Sequence, residues 1–317
     1  MAVYLAGAGT AAAAAALYTH YSYPSLPPPT TQHVGSCRVR FKGSVAAQFY
    51  YPTSAPPTQP SYPLFRRPDV LTHFAQAVQK PVWLFQLFGM SRVTTPCITA
   101  TDEPGTPPPP VNTATNTATN TAKLPVVVFS HGLYGICDLH TAFSSQLAQE
   151  GYIVVVLEHE GGAASYCCTE EDGVVLDYIV PPTLDPDTEG KTKQEQYQHY
   201  LQVCRGFRGP ILRKREKEID IVVQCLKGAA SHDAYPLEGA TGLPFASSTS
   251  ATATAAAAHC KHLFDSIDAS HMILAGHSFG GATAVVAAQS TRPGLANAFQ
   301  CCLLYDPWTE CLDEGKL

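Results

Sequence analysis

The stretch from His271 to Ala288 (HMILAGHSFGGATAVVAA) constrains this chain more than any other. A short apolar run, Met272 to Ala275, reads as a buried strand. Gly276-His277-Ser278-Phe279-Gly280-Gly281 is too rich in glycine to continue it, and the small and apolar residues from Ala282 to Ala288 read as a helix. Strand, G-x-S-x-G turn and helix in immediate succession hold a serine on a strained corner with its hydroxyl exposed. The residues two before and two after that serine then have no room for a Cβ. The Phe279 N–H falls at the helix N-terminus, where the dipole favours a developing oxyanion. An ordinary glycine turn is the alternative; the strand and helix flanks favour the nucleophilic corner.

The same alternation of strand and helix recurs upstream. Pro125–Ser130 (PVVVFS) reads as a fully buried strand. Asp138 to Glu150 reads as a helix with Phe143, Leu147 and Ala148 on one face, and Tyr152–Leu157 (YIVVVL) as a second buried strand. Strand, helix, strand over so short a span is a right-handed parallel βαβ unit. Cys260 to Ile267 is expected as a short helix leading into the serine corner, and Cys301–Tyr305 (CCLLY) as another buried strand after it. Together these predict an α/β-hydrolase fold, a mostly parallel central sheet flanked by helices. No further strand and helix follow to cover the sheet, so the fold is expected to be C-terminally incomplete.

The remaining segments are less regular. Residues 1–34 are Ala-rich, then Pro/Tyr/Thr-rich, and read as a flexible tail before a hydrolase domain over 35–317. Ser36–Phe41 and Val45–Tyr51 read as a hairpin joined by Lys42-Gly43-Ser44. Asp69 to Gln79 has helical spacing with Asp69 as N-cap. Pro81 to Phe88 (PVWLFQLF) reads as a buried core helix, the alternative being a surface that dips into lipid. Low-complexity inserts are expected at about 99–122 and 229–258, and Gly161 to Gly190 as a surface excursion. Lys191 to Lys227 reads as one or two amphipathic helices interrupted near Gly206 to Pro210. The charge run Arg213 to Glu218 falls on the expected solvated face of that helix.

Composition excludes some functions. A net charge of −6 gives no reason to expect a nucleic-acid partner. No run of 18 apolar residues marks a membrane span. Met1 to Leu17 is apolar but has no basic start, which weakens a signal-peptide reading. The 11 cysteines are scattered, with no C-x-x-C spacing for zinc, and N-x-S/T sequons are absent. A cytoplasmic chain is expected, with secretion as the alternative, and with no metal and no cofactor.

The chemistry-bearing residues follow from the fold. His131-Gly132-Leu133 comes directly after the PVVVFS strand, where this fold takes its second oxyanion donor, so the Leu133 N–H joins that of Phe279. Asp306 lies one helix and one strand after Ser278, at the sheet edge where a triad acid belongs; a simple Asp306-Pro307 turn is the alternative, and Asp313 and Glu314 are weaker rivals. The general base has no candidate in its usual place, because all 12 histidines precede Ser278. His277 adjoins the serine on a tight turn, where neighbouring side chains point apart. His159 reads as a pocket or structural residue.

These residues carry a resemblance to the platelet-activating factor acetylhydrolases. F-S-H-G-L (Phe129 to Leu133), G-Y-I-V-V-V-L-E-H (Gly151 to His159), D-S-I-D (Asp265 to Asp268), G-H-S-F-G-G-A-T (Gly276 to Thr283) and L-L-Y-D-P-W (Leu303 to Trp308) all resemble that family. So do V-G-S-C-R-V-R-F and F-Y-Y-P in the first hairpin. The resemblance implies an esterase that removes short sn-2 acyl groups from phospholipids, with peripheral contact to a membrane or lipoprotein surface. It implies Ser278 as nucleophile, Asp306 as triad acid, and Leu133 and Phe279 as oxyanion donors; the family's histidine lies beyond Leu317. Where the family usually has an arginine-aspartate pair after E-H, this chain has Glu160-Gly161, which puts the contacts at the pocket edge in question. A catalytically impaired relative that binds lipid or protein is the alternative function.

Overall fold

The computed structural model describes residues 33–53, 62–65, 67, 69–95, 98–99, 123–168, 175–181, 192–228, 234–236 and 251–313. The expected tail, the 99–122 insert after Thr99 and most of the 229–258 insert lie outside these residues.

Eight strands form the main sheet: β1 (His33–Phe41), β2 (Ala46–Thr53), β3 (Ile98–Thr99), β4 (Leu124–Ser130), β5 (Ile153–Glu158), β6 (Ala234–Pro236), β7 (Ile267–His277) and β8 (Cys301–Tyr305). Their order across the sheet is β6-β1-β2-β5-β4-β7-β8, with β3 also paired to β1. The half from β5 to β8 is parallel, and β1 and β2 add an antiparallel hairpin beside it. Central β4 and β5 are runs of valine buried on both faces, the pattern a strand needs when helices cover both sides. Side chains alternate between two cores. Val126, Val128, Val155 and Leu157 face one side with Phe41, Phe49, Ile219 and Val222. Val127, Phe129, Val154 and Val156 face the other, under Phe143, Leu147 and Ala148.

The helices are α1 (Val70–Ala77), α2 (Val82–Leu87), α3 (Thr141–Gln149), α4 (Lys193–Leu226), α5 (Ala251–Asp265) and α6 (Phe279–Ala288). Several depart from the sequence reading. Asp69 sits at the α1 N-cap position but has helical dihedrals and makes no side-chain cap bond. The segment read as a core helix gives α2, which buries no residue and exposes Trp83 and Leu87, with its C-cap Phe88 exposed too; among the described residues Phe85 finds an aromatic partner in Phe74 of α1.

The expected break near Pro210 does not occur: α4 is one helix of 34 residues with a Thr192/Glu195 capping box. Proline removes one helical hydrogen bond and crowds the carbonyl four residues back. Here that residue is Gly206, Pro210 is exposed, and buried Leu201, Cys204, Ile211 and Leu212 hold the helix on either side. The charge run is only partly solvated. Arg213, Lys214 and Lys217 are exposed, whereas Arg215 and Glu218 are buried. Helix α5 begins nine residues before Cys260 (260 − 251), because alanine is the strongest helix former. Finally, β8 is not a buried strand. It is an edge strand paired to β7, and Leu303, Leu304 and Tyr305 are exposed.

Candidate active site

The parallel strands β4, β5, β7 and β8 all end at one edge of the sheet, at Ser130, Glu158, His277 and Tyr305. Register fixes what meets there: Gly276 lies between Ser130 and Leu304, and His277 pairs with Tyr305. The next residue, Ser278, has φ +53° and ψ −118°, a strained conformation for a residue with a Cβ, and α6 starts immediately after it. The glycines of the motif are required by contact. A Cβ on Gly276 would run into the Gly280 carbonyl, one on Gly280 into the Ser130 carbonyl, and one on Gly281 would come within 2.8 Å of Pro307. The corner is therefore interlocked with both neighbouring strand ends.

The loop after β4 closes on the same point. A Cβ on Gly132 would lie 3.2 Å from the Ser278 Cβ and 3.2 Å from the His277 carbonyl. This places Gly132 directly against Ser278, with Leu133 next along the loop. Leu133 packs with Phe279, Ala282 and Ile211. Among the described residues, neither the Leu133 nor the Phe279 N–H has an acceptor. Asp306 follows β8 with φ +44° and is exposed. The turn bearing it is bonded to the serine on both sides, Ser278 N–H to the Tyr305 carbonyl at 2.9 Å and Trp308 N–H to the Ser278 carbonyl at 3.0 Å.

Behind this loop lies a buried polar network that the sequence reading largely missed. His159 is fully buried; Ser130 Oγ meets its Nε2 at 2.8 Å and Glu218 Oε2 meets its Nδ1 at 2.7 Å. Arg215 donates from Nη1 to the His131 carbonyl at 2.7 Å. Burial, reinforced by the Arg215 charge, holds both imidazoles well below their ordinary range. Burial pushes the Glu218 carboxyl up to about 7 despite Arg215 and Lys214, and pushes the Arg215 guanidinium down to about 9. Glu158 sits next door between Arg38 and Arg67; burial acts to raise it, but the two guanidiniums win and hold it at about 2.

Glu160, where the family resemblance leads one to expect a cation, finds its cation on another strand. Arg40 of β1 pairs with its carboxylate, and Lys214 Nζ donates to its carbonyl at 2.9 Å. The signal for Arg215 and Glu218 was present in the sequence: they continue the buried stripe Ile211, Arg215, Glu218, Val222 at spacings of four, three and four. Charge hid the periodicity.

The site thus gathers a strained serine, two N–H groups and a carboxylate-bearing turn, but no imidazole is hydrogen-bonded to Ser278 among the described residues. His277 is exposed, with its ring 6.5 Å from that of His140. His159 is bonded away from the serine.

The sequence model of the family described as platelet-activating factor acetylhydrolase, isoform II, matches residues 86–316. The chain is 26% identical over 199 residues to the dog platelet-activating factor acetylhydrolase, covering 61% of this chain and 37% of that protein. It is 28% identical to the bovine protein of the same name, covering 59% and 35%, and 27% identical to a putative phospholipase A2 of Schizosaccharomyces pombe, covering 59% and 41%. The chain therefore spans well under half the length of these relatives. Among solved structures, a ferulic acid esterase from Streptomyces cinnamoneus aligns over 83% of this chain and 58% of its own at 20% identity, with a TM-score of 0.46. The family match covers most of the chain and every strand of the parallel half of the sheet. The chain belongs to the platelet-activating factor acetylhydrolase, isoform II, family.

Proposed function

We propose that this chain carries the acyl-transfer centre of a serine carboxylic-ester hydrolase acting on short sn-2 acyl esters of phospholipids. The observation that carries this reading is the juxtaposition of strained Ser278 with the Gly132-Leu133 loop. Ser278 Oγ attacks the acyl carbonyl, and the carbonyl oxygen gains charge between the Leu133 and Phe279 N–H groups, the latter at the α6 N-terminus. The alcohol leaves with a proton, and water then releases the acyl group from Ser278. Asp306 is placed to orient and charge-balance an imidazole that would accept the Ser278 proton, a group that no described residue supplies. The phospholipid substrate is supported by the family and by the names of the relatives.

The exposed side chains of α2 support a second part of the proposal, contact with aggregated lipid. Trp83 and Phe88 are 59% and 69% exposed on a helix that buries nothing in the core.

The direct test is labelling of the folded 317-residue chain with a fluorophosphonate. Labelling that is lost in Ser278→Ala supports the esterase reading. A folded chain confirmed to be full length that takes no label sinks it, and leaves the site a binding pocket without turnover.

A further inference from the structure

The fully buried His131 ring is bonded on both of its nitrogens, and the proposed mechanism does not use it. Its Nδ1 lies 2.8 Å from the carbonyl oxygen of Gly132, the next residue. A carbonyl only accepts, so Nδ1 carries the proton. Its Nε2 lies 3.4 Å from the His159 backbone nitrogen, which donates, so Nε2 keeps its lone pair. The two contacts select one neutral tautomer, and burial beside Arg215 and His159 keeps the ring neutral. The carbonyl of His131 is held in turn by Arg215 Nη1 at 2.7 Å. Both peptide planes that follow His131 Cα are thereby anchored.

The second plane is the one that matters. In a trans peptide the carbonyl and the N–H point in opposite directions. The Gly132 carbonyl and the Leu133 N–H share one peptide. Binding that carbonyl to the His131 ring, with help from the Gly135 N–H at 3.3 Å, turns the Leu133 N–H the other way. The ring packs directly over Gly135, which has room for it only because it carries no side chain: a Cβ there would come within 2.7 Å of His131 Nδ1. Tyr134, with φ +59°, completes a turn that has little freedom to rotate.

We propose that His131 is a positioning residue: its Nδ1–H, bonded to the Gly132 carbonyl, aims the Leu133 N–H at the oxygen of the tetrahedral intermediate on Ser278. The inference rests on the esterase reading for the role of Leu133, but the tautomer it requires is independent of turnover. Arg215 holds the His131 carbonyl, and the His159 backbone N–H holds the ring. The arrangement preorganises a donor whose interaction strengthens only as charge develops.

Two variants of the full 317-residue chain separate positioning from simple packing. His131→Leu fills the space without a donor. His131→Asn places an amide N–H close to the place of Nδ1. With p-nitrophenyl acetate, His131→Leu is expected to lower kcat about 10²-fold with KM within about twofold, the signature of a lost transition-state contact. His131→Asn is expected to stay within about tenfold of the parent. Nitrogen-15 NMR of histidine-labelled protein is expected to show His131 protonated on Nδ1 alone from pH 6 to 8. A proton on Nε2, or Asn and Leu variants that fold and are equally slow, overturns the proposal. A parent chain without turnover fails the esterase reading instead. In that case the tautomer decides, together with the Leu133 amide resonance, which must move in His131→Leu and return in His131→Asn.

Discussion

The Trp308 N–H donates to the Ser278 carbonyl at 3.0 Å, tying the serine corner to the chain beyond β8. With the bond from the Ser278 N–H to the Tyr305 carbonyl, it brackets Asp306 between two attachments to the residue it is proposed to serve. A single turn therefore fixes the serine backbone and carries the acid. The conformation at Ser278 is part of this construction, since φ +53° costs a residue with a Cβ on the order of 1–3 kcal/mol.

That strain makes a prediction about stability. Ser278→Ala and Ser278→Gly both lose the hydroxyl and with it all labelling. Only glycine relieves the backbone. Ser278→Gly is expected to be more stable than Ser278→Ala by about 1 kcal/mol in urea unfolding. Equal midpoints for the two would show that the corner is not strained.

Asp306 is exposed, so its removal should leave the fold intact. Asp306→Asn is expected to keep the parent melting temperature and, where an imidazole partners the acid, to slow acylation by about 10⁴-fold, as loss of a triad acid does. Stopped-flow measurement with an activated ester checks this. A loss of less than about tenfold would move the acid elsewhere.

The two buried glutamates should give stability opposite pH dependences. Glu158 is held at about 2 against an ordinary value of 4.5, so its stabilisation is complete above pH 4.5 and is lost as pH falls toward 2. Glu218 is raised to about 7, so the folded state binds more protons than the unfolded one between pH 4.5 and 7, and stability falls as pH rises through that window. Each shift corresponds to on the order of 3 kcal/mol. Glu218→Gln is expected to gain stability relative to the parent between pH 5 and pH 8. Glu158→Gln is expected to lose about 3–5 kcal/mol near neutrality, because Arg38 and Arg67 are left buried without their partner. Denaturant unfolding at several pH values reads both signs.

The exposed face of α2 predicts lipid dependence. Phe88→Ser is expected to weaken partition onto phosphatidylcholine vesicles by about tenfold, on the scale of burying one aromatic side chain. Soluble-ester turnover should not change, since Phe88 lies outside the serine corner. Sedimentation with vesicles checks the first expectation, and unchanged binding would assign α2 to some other contact.

Much of the site was legible from local pattern. The serine corner and the Leu133 loop each follow a buried strand, and a strand of valines announces itself by its apolar run; the Asp306 turn follows β8, whose apolar residues are exposed. What misled was burial inferred from composition. Cys301–Tyr305 and Pro81–Phe88 are as apolar as the core, yet one lies at a sheet edge and the other on the surface, because burial depends on what packs alongside. The charge run on α4 misled in the opposite sense, hiding Arg215 and Glu218 behind the loop that follows β4.

The sequence by itself determined where the chain must turn. Gly276, Gly280 and Gly281 permit contacts that any side chain would block, and the alternating runs on either side select a parallel sheet. Tertiary structure alone decided which polar groups meet behind that turn. Arg40 reaches Glu160 from a strand over a hundred positions away, and Glu218 reaches His159 from the next helix. Such pairings rest on register and helix phase, which fix side-chain direction only after the sheet is assembled. The same holds for His131. Its position in the sequence marks the loop and supplies the Gly132 carbonyl for Nδ1, but the second contact that selects its tautomer exists only because the His159 backbone arrives beside its ring.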